Sequence, residues 1–176
     1  MTAPIRPASE KAYGREKWVY LAACAAVGAP TAAEVGAGTI LDISCMLFGD
    51  SGRPSQTTNR VKKAKRVCDT VVYEQIGDTN YEGGEIKYAF TSQGAAASNG
   101  VKAWEKFPAG TTGFLVQRTG IDVNTDLATG QFVNVFPVEF GPPMPTIEGS
   151  DESAETAAVQ TIAITSAPGF KVAIVA

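Results

Sequence analysis

GTTGFLVQRTGIDVNTDLATGQFVNVFPVEFG, residues 110–141, decides the fold. Two extended runs, 112–121 and 131–140, are dominated by β-branched and aromatic residues, the composition of strands. Between them Asn124, Asp126, Thr129 and Gly130 supply turn chemistry. The stretch reads as a β-hairpin. In its second run Phe132, Phe136, Val138 and Phe140 share one face with Asn134. Val133, Val135 and Pro137 share the other with Gln131 and Glu139. A hairpin apolar on both faces needs cover on both. In a small protein the second cover is often another subunit, a first sign of a chain that assembles.

Downstream, Gly141-Pro142-Pro143 opens an irregular segment, and SDESAE (150–155) is an acidic surface turn with only a superficial likeness to a cation-binding loop. Residues 159–165 and 171–175 read as a closing hairpin around Ala167-Pro168-Gly169, with Ile162, Ile164, Val172 and Ile174 tying it into a sheet. Upstream, 93–107 contains the one convincing helix. Ser98 or Asn99 can cap it, Val101, Trp104 and Phe107 form its apolar side, and Pro108 stops it. Residues 85–91 alternate, with Ile86, Tyr88 and Phe90 inward. With the strand-like run 67–76 and a turn at 78–84 they make a second antiparallel hairpin.

The stretch 49–59 (GDSGRPSQTTN) is a long polar loop, followed by the basic run NRVKKAKR (59–66). Arg53, Arg60, Lys62, Lys63, Lys65 and Arg66 thus fall within one segment, 49–66. Three readings stand: a solvated loop end, a partner-docking arm, or a nuclear signal or nucleic-acid patch, the last weakened by the lack of interleaved aromatics. Residues 39–48 alternate as a half-buried strand, with Leu41, Ile43, Cys45 and Leu47 on one face. APTAAEVGAG (29–38) is a turn-rich connector. WVYLAACAA (18–26) is apolar on both parities and reads as a buried strand, because Gly28 and Pro30 close it too early for a helix. Residues 1–17, with Pro4, Pro7 and several charges but no apolar period, read as a flexible arm.

At 176 residues the chain is expected to form one domain, 18–176, behind that arm. It is mainly β: an antiparallel sandwich or half-open barrel of about seven strands with one flanking helix. The net charge of −3 gives no general case for nucleic-acid or anionic-membrane binding. Its distribution is uneven. Residues 1–102 hold 12 basic and 10 acidic side chains, and residues 103–176 hold 3 and 8. Such polarity suits head-to-tail contact between copies. The absence of histidine removes Ser-His-Asp and Cys-His sites and most zinc sites, so catalysis is disfavoured and neither a catalytic, a cofactor nor a metal site is expected. Cys24, Cys45 and Cys68 lack CxxC spacing and read as reduced, interior thiols. No segment resembles a signal peptide or spans a membrane, so a protein made in a cytoplasm is expected.

The order of these pieces resembles a known family. APTAAEVGAGTILDISCML (29–47), the long loop after Gly49, AWEKFPAG (103–110) leading into GTTGFLVQRTG, and ATGQFVNVFPVEFG (128–141) together resemble the major tail tube proteins of long-tailed, non-contractile bacteriophages. The resemblance covers about residues 18–176. It implies sixfold rings stacked into a tube, with the 49–66 segment reaching the adjacent ring and the helix near a subunit boundary. The 112–121 and 131–140 hairpin would contribute to an inner sheet. It further implies a place in the virion tail, assembly in the host cytoplasm, and work beside a tape measure protein, a tail terminator and distal tail or baseplate proteins. No membrane insertion is implied.

A bore for DNA, a dense polyanion, should be polar and neutral to negative. Asp122, Asp126 and Glu139 are the bore candidates, ordinary surface carboxylates being the alternative for each. Glu148, Asp151, Glu152 and Glu155 are the candidates to receive the basic arm. The competing expectations are another sandwich-fold assembly protein (a tail terminator, an injection-system tube protein or a capsid decoration protein), a soluble carbohydrate-binding domain, and a carboxylate hydrolase. Dispersed aromatics speak against the binding domain, and the lack of a spaced acid pair speaks against the hydrolase.

Overall fold

The computed structural model describes residue 9, residues 11–37 and residues 40–176. The flexible arm expected at the N-terminus falls largely on residues 1–8 and 10, outside the described residues. Strand β1 (Glu16–Leu21) already includes the last two positions of that arm. It pairs antiparallel with β6 (Thr112–Thr119), and β6 with β7 (Phe132–Phe140), so the central hairpin stands as read. The neighbours of β7 complete a curled antiparallel sheet in the order β2-β1-β6-β7-β9-β5, where β2 is Leu41–Asp42, β5 is Glu85–Ala89 and β9 is Glu155–Ile164. The chain after β2 then crosses to the far edge, where Leu47 bridges to Tyr88 and the Phe48 amide donates to the Lys87 carbonyl. One segment therefore touches both edges of the sheet and curls it into a half-barrel.

Alternation explains the two apolar layers. Inward positions (Trp18, Tyr20, Leu115, Phe136, Val138, Phe140, Ile86, Tyr88, Ile162) fill the barrel. Helix α2 (Asn99–Lys106) adds Ala103, and Phe107 follows it. Phe107 stacks on Phe140 at 4.4 Å and meets Tyr20 edge-on at 5.0 Å. The buried Gln160 amide donates to the carbonyls of Phe107 and Gly141 and locks the helix exit. Ser98 holds the N-cap position of α2 without a side-chain capping bond.

The outward layer is covered from within the chain. Val19, Leu21, Val116, Val133 and Val135 pack with Val35 and Ile174. Val35 belongs to α1 (Ala32–Val35), a helix inside the expected connector. Thr31 accepts from the Glu34 amide while the Glu34 carboxylate accepts from Thr31, a capping box. The second face of the hairpin therefore has a lid of its own and does not require another subunit.

Three assignments change. Residues 43–46 form a turn, because Asp42 Oδ1 accepts from the Ser44 amide and the Met46 amide donates to the Ile43 carbonyl. Ile43 and Met46 go inward, and Cys45 points out. Strand β10 (Gly169–Ala173) does not fold back on β9. Both run along the same edge of β7, Ile164 opposite Val138 and Gly169 opposite Val135. The break between them faces Phe136 and Pro137, and proline brings no N–H to a ladder. Finally, β5 pairs with β9, not with the run before it. That run forms a separate two-stranded sheet of β3 (Ser55–Lys62) and β4 (Glu74–Glu82).

Candidate assembly surface

The β3–β4 hairpin is the feature that the barrel does not explain. The 49–66 segment, read as a loop, is half of it, and 67–73, read as strand, is its tip. Neither face is buried: every residue from Ser55 to Ile76 is exposed except Thr58 and Asp69, which are half-buried. Val61, Val67, Val71, Val72, Tyr73 and Ile76 are exposed apolar residues. The tip is closed by the Lys63 amide on the Tyr73 carbonyl and by the Arg66 amide on Asp69 Oδ2. A lone hairpin with two wet faces is marginal in water, and the single chain gives this arm no cover on either face.

Its root is fixed. Gly52 lies against the backbone of Glu85 and Gly83 against the carbonyl of Ile162, where any side chain would collide. Arg53 forks onto Glu16, Nε to Oε1 at 3.0 Å and a terminal nitrogen to Oε2 at 2.7 Å. That fork, helped by Gln117 and Trp18 against the opposing effect of burial, holds the Glu16 carboxyl below its ordinary range. Tyr81 of β4 leans on Phe170 at 6.3 Å. Arg53 thus anchors the arm within its own chain, whereas Arg60 and Lys62 on β3 and Lys63, Lys65 and Arg66 at the tip are exposed and carry no ion pair among the described residues.

Asp151, Glu152 and Glu155 lie at the other end of β9, whereas Glu148 reaches back toward the arm root through Lys87. Strand β8 (Met144–Glu148) pairs with the start of β9, Glu148 opposite Glu155, and the turn between them carries Asp151 and Glu152. The arm root touches Ile162, seven residues along β9, or ~23 Å away. Glu148 and Asp50 both bind Lys87, at 3.1 and 2.7 Å, so Glu148 is engaged within the chain. Asp151 accepts from the Ser153 hydroxyl and amide, which lower its pKa. Asp151, Glu152 and Glu155 are exposed.

The bore candidates separate. Asp122 and Asp126 sit in the β6–β7 turn, which Arg118 organises. Arg118 is fully buried and donates to the carbonyls of Asp122, Thr125 and Asp126 and to Gln131 Oε1. Asp122 Oδ1 accepts from Asn124, and Asp126 lies 3.9 Å from Lys17. Glu139 is exposed at the opposite end of β7, opposite Thr112. The sequence reading missed Arg118. Its signal was a base on the parity of Phe114 and Val116, directly before a turn of oxygen-rich residues.

All three cysteines are free, but Cys45 and Cys68 are exposed and Cys24 is half-buried, which corrects the interior reading. Cys45 stands in the crossing turn and Cys68 at the arm tip, and neither position has a core to enter. A cavity of ≈ 600 Å³ under the arm root is lined mainly by apolar groups, Trp18, Ile43, Leu47 and Leu115 among them, and the Glu16–Arg53 pair lies on its wall. Among the described residues no cluster of three or more His, Cys, Asp or Glu is placed to hold a metal ion, and no helix is long and apolar enough to cross a membrane.

A family model described as phage tail tube protein matches residues 3–176. A search of curated proteins finds no match.

Proposed function

Because the chain belongs to the phage tail tube protein family, a structural component of the virion tail that assembles with other tail proteins, we propose that its copies close into hexameric rings and that the rings stack through the β3–β4 arm. One observation carries this reading: a basic two-stranded arm, wet on both faces, leaves one end of β9 while an acidic turn occupies the other. Translating one copy onto the next brings opposite charges together, and a heterologous contact of this kind repeats without limit along an axis. Within a ring, free strand edges add to a neighbour's sheet, which removes exposed edges.

Lys63, Lys65 and Arg66 face Asp151, Glu152 and Glu155 of the next ring. Exposed ion pairs contribute about 0–1 kcal/mol each, so their part is register and direction. Asp122, Asp126 and Glu139 give the bore an acidic wall that repels the phosphate backbone, and DNA slides past without being held. The tube is built in the host cytoplasm around a tape measure protein, between a terminator and the distal tail or baseplate proteins.

Imaging of the purified full chain by negative-stain electron microscopy, beside a variant with residues 56–81 replaced by a short Gly-Ser link, tests this. The full chain is expected to form tubes and the variant to stop at rings or single subunits. Normal tubes from the variant would defeat the arm assignment.

A further inference from the structure

The acidic turn continues an apolar strand, and the arm tip has matching chemistry. Among the described residues β8 pairs with β9 alone. Met144 is 70 % and Ile147 67 % exposed. Pro145 denies this edge one backbone donor, which disfavours strand pairing, but the edge carries no charge before Glu148 to keep apolar side chains off it. The arm tip presents Val67, Val71, Val72 and Tyr73, all exposed and so not seated on β8 of their own chain. Residues 60–73 carry five basic side chains and one acidic, a net of +4, and residues 148–155 carry four acidic and none basic, a net of −4.

We propose that the arm tip of one copy straddles the free edge of β8 of a second copy, Val67, Val71, Val72 and Tyr73 covering Ile147 on one face of the strand and Met144 on the other. Lys63, Lys65 and Arg66 then lie over Asp151, Glu152 and Glu155. The apolar contact supplies the affinity, and the charges choose the register. This deepens the ring-stacking reading and rests on it. The seat is specific: other exposed apolar positions, such as Phe132 and Phe170, lie away from the acidic turn, near the arm root or the start of β7.

Cys68 at the tip makes the seat measurable. In a full-length chain carrying Cys24→Ser and Cys45→Ser, Ile147→Cys places the only other thiol on β8. Mild oxidation of assembled tubes is expected to give a ladder of covalent multimers that reductant collapses, since a disulfide forms only when the two Cα atoms come within roughly 7 Å. Thr165→Cys, exposed at the arm-root end of β9, is expected to give none. Separately, Ile147→Asp should raise the protein concentration needed for tubes by about tenfold or more with an unchanged thermal midpoint for the subunit. Tubes that yield no ladder from Ile147→Cys, or a ladder only from Thr165→Cys, would overturn the seat. So would unimpaired tube growth by Ile147→Asp. The variant lacking residues 56–81 separates the two claims: if it still fails to stack, only the seat falls, and if it stacks, the arm reading falls with it.

Discussion

Arg118 shows what a single buried ion does here. It spends its charge on carbonyls of the β6–β7 turn, so Arg118→Ala should leave those oxygens unpaired and lower the unfolding free energy by about 3 kcal/mol or more. Urea unfolding measures it, and Arg118→Lys, which cannot fork, should recover only part. The Glu16–Arg53 fork behaves differently. The folded carboxyl titrates below its ordinary value, so its contribution is complete above about pH 4.5 and is lost as pH falls through the lowered value. Arg53 is half-exposed, which limits the effect to about 1 kcal/mol or less. The melting-temperature gap between the natural chain and Glu16→Gln should be present at neutral pH and close in acid. Tyr88 is the opposite case: burial pushes its hydroxyl up to about 12, so it favours the fold below pH 10 and that preference fades as pH rises toward 12. Neither Arg118 nor Glu16 was legible beforehand. A strand's parity tells which face a side chain takes, not that a charged one is sealed there by a turn folding over it.

At the scale of elements, the sequence spoke clearly wherever burial imposed a period. β6, β7 and β5 announced themselves because one or both of their faces enter the core. β3 did not. SQTTNRVK has strand-forming threonines but no apolar alternation, because neither of its faces is buried, and periodicity reports burial rather than extension. The 43–46 turn failed for the reverse reason: its alternation was present, but Asp42-Ile43-Ser44 had turn chemistry as well, and that won. The Thr31–Glu34 capping box was visible as T-x-x-E and outweighed by the surrounding alanines and glycines. Thr31→Ala should cost about 1 kcal/mol. Because the Ala32 amide donates to the Val175 carbonyl, hydrogen exchange should show the C-terminus loosening with it. Excising residues 56–81 should leave the subunit's thermal midpoint within about 2 °C of the full chain, since the arm gives the two apolar clusters no buried member.

For the whole molecule, the uneven charge foreseen in the sequence becomes geometry: basic arm at one end of β9, acidic turn at the other. The hairpin that first suggested assembly is covered within its own chain, so the case for assembly moves to the arm. If charge sets register, raising ionic strength from 0.05 to about 0.5 M should slow tube growth without abolishing it, because the Debye length shrinks while apolar contacts persist; turbidity or light scattering reports it. On the proposed mode of stacking, the exposed β3–β4 arm is completed by another copy. Hydrogen–deuterium exchange across Ser55–Lys62 and Glu74–Glu82, compared between dispersed subunits and assembled tubes, tests it most directly. Fast exchange in the subunit and strong protection in the tube are predicted. Equal exchange in both, with tubes present, would contradict it.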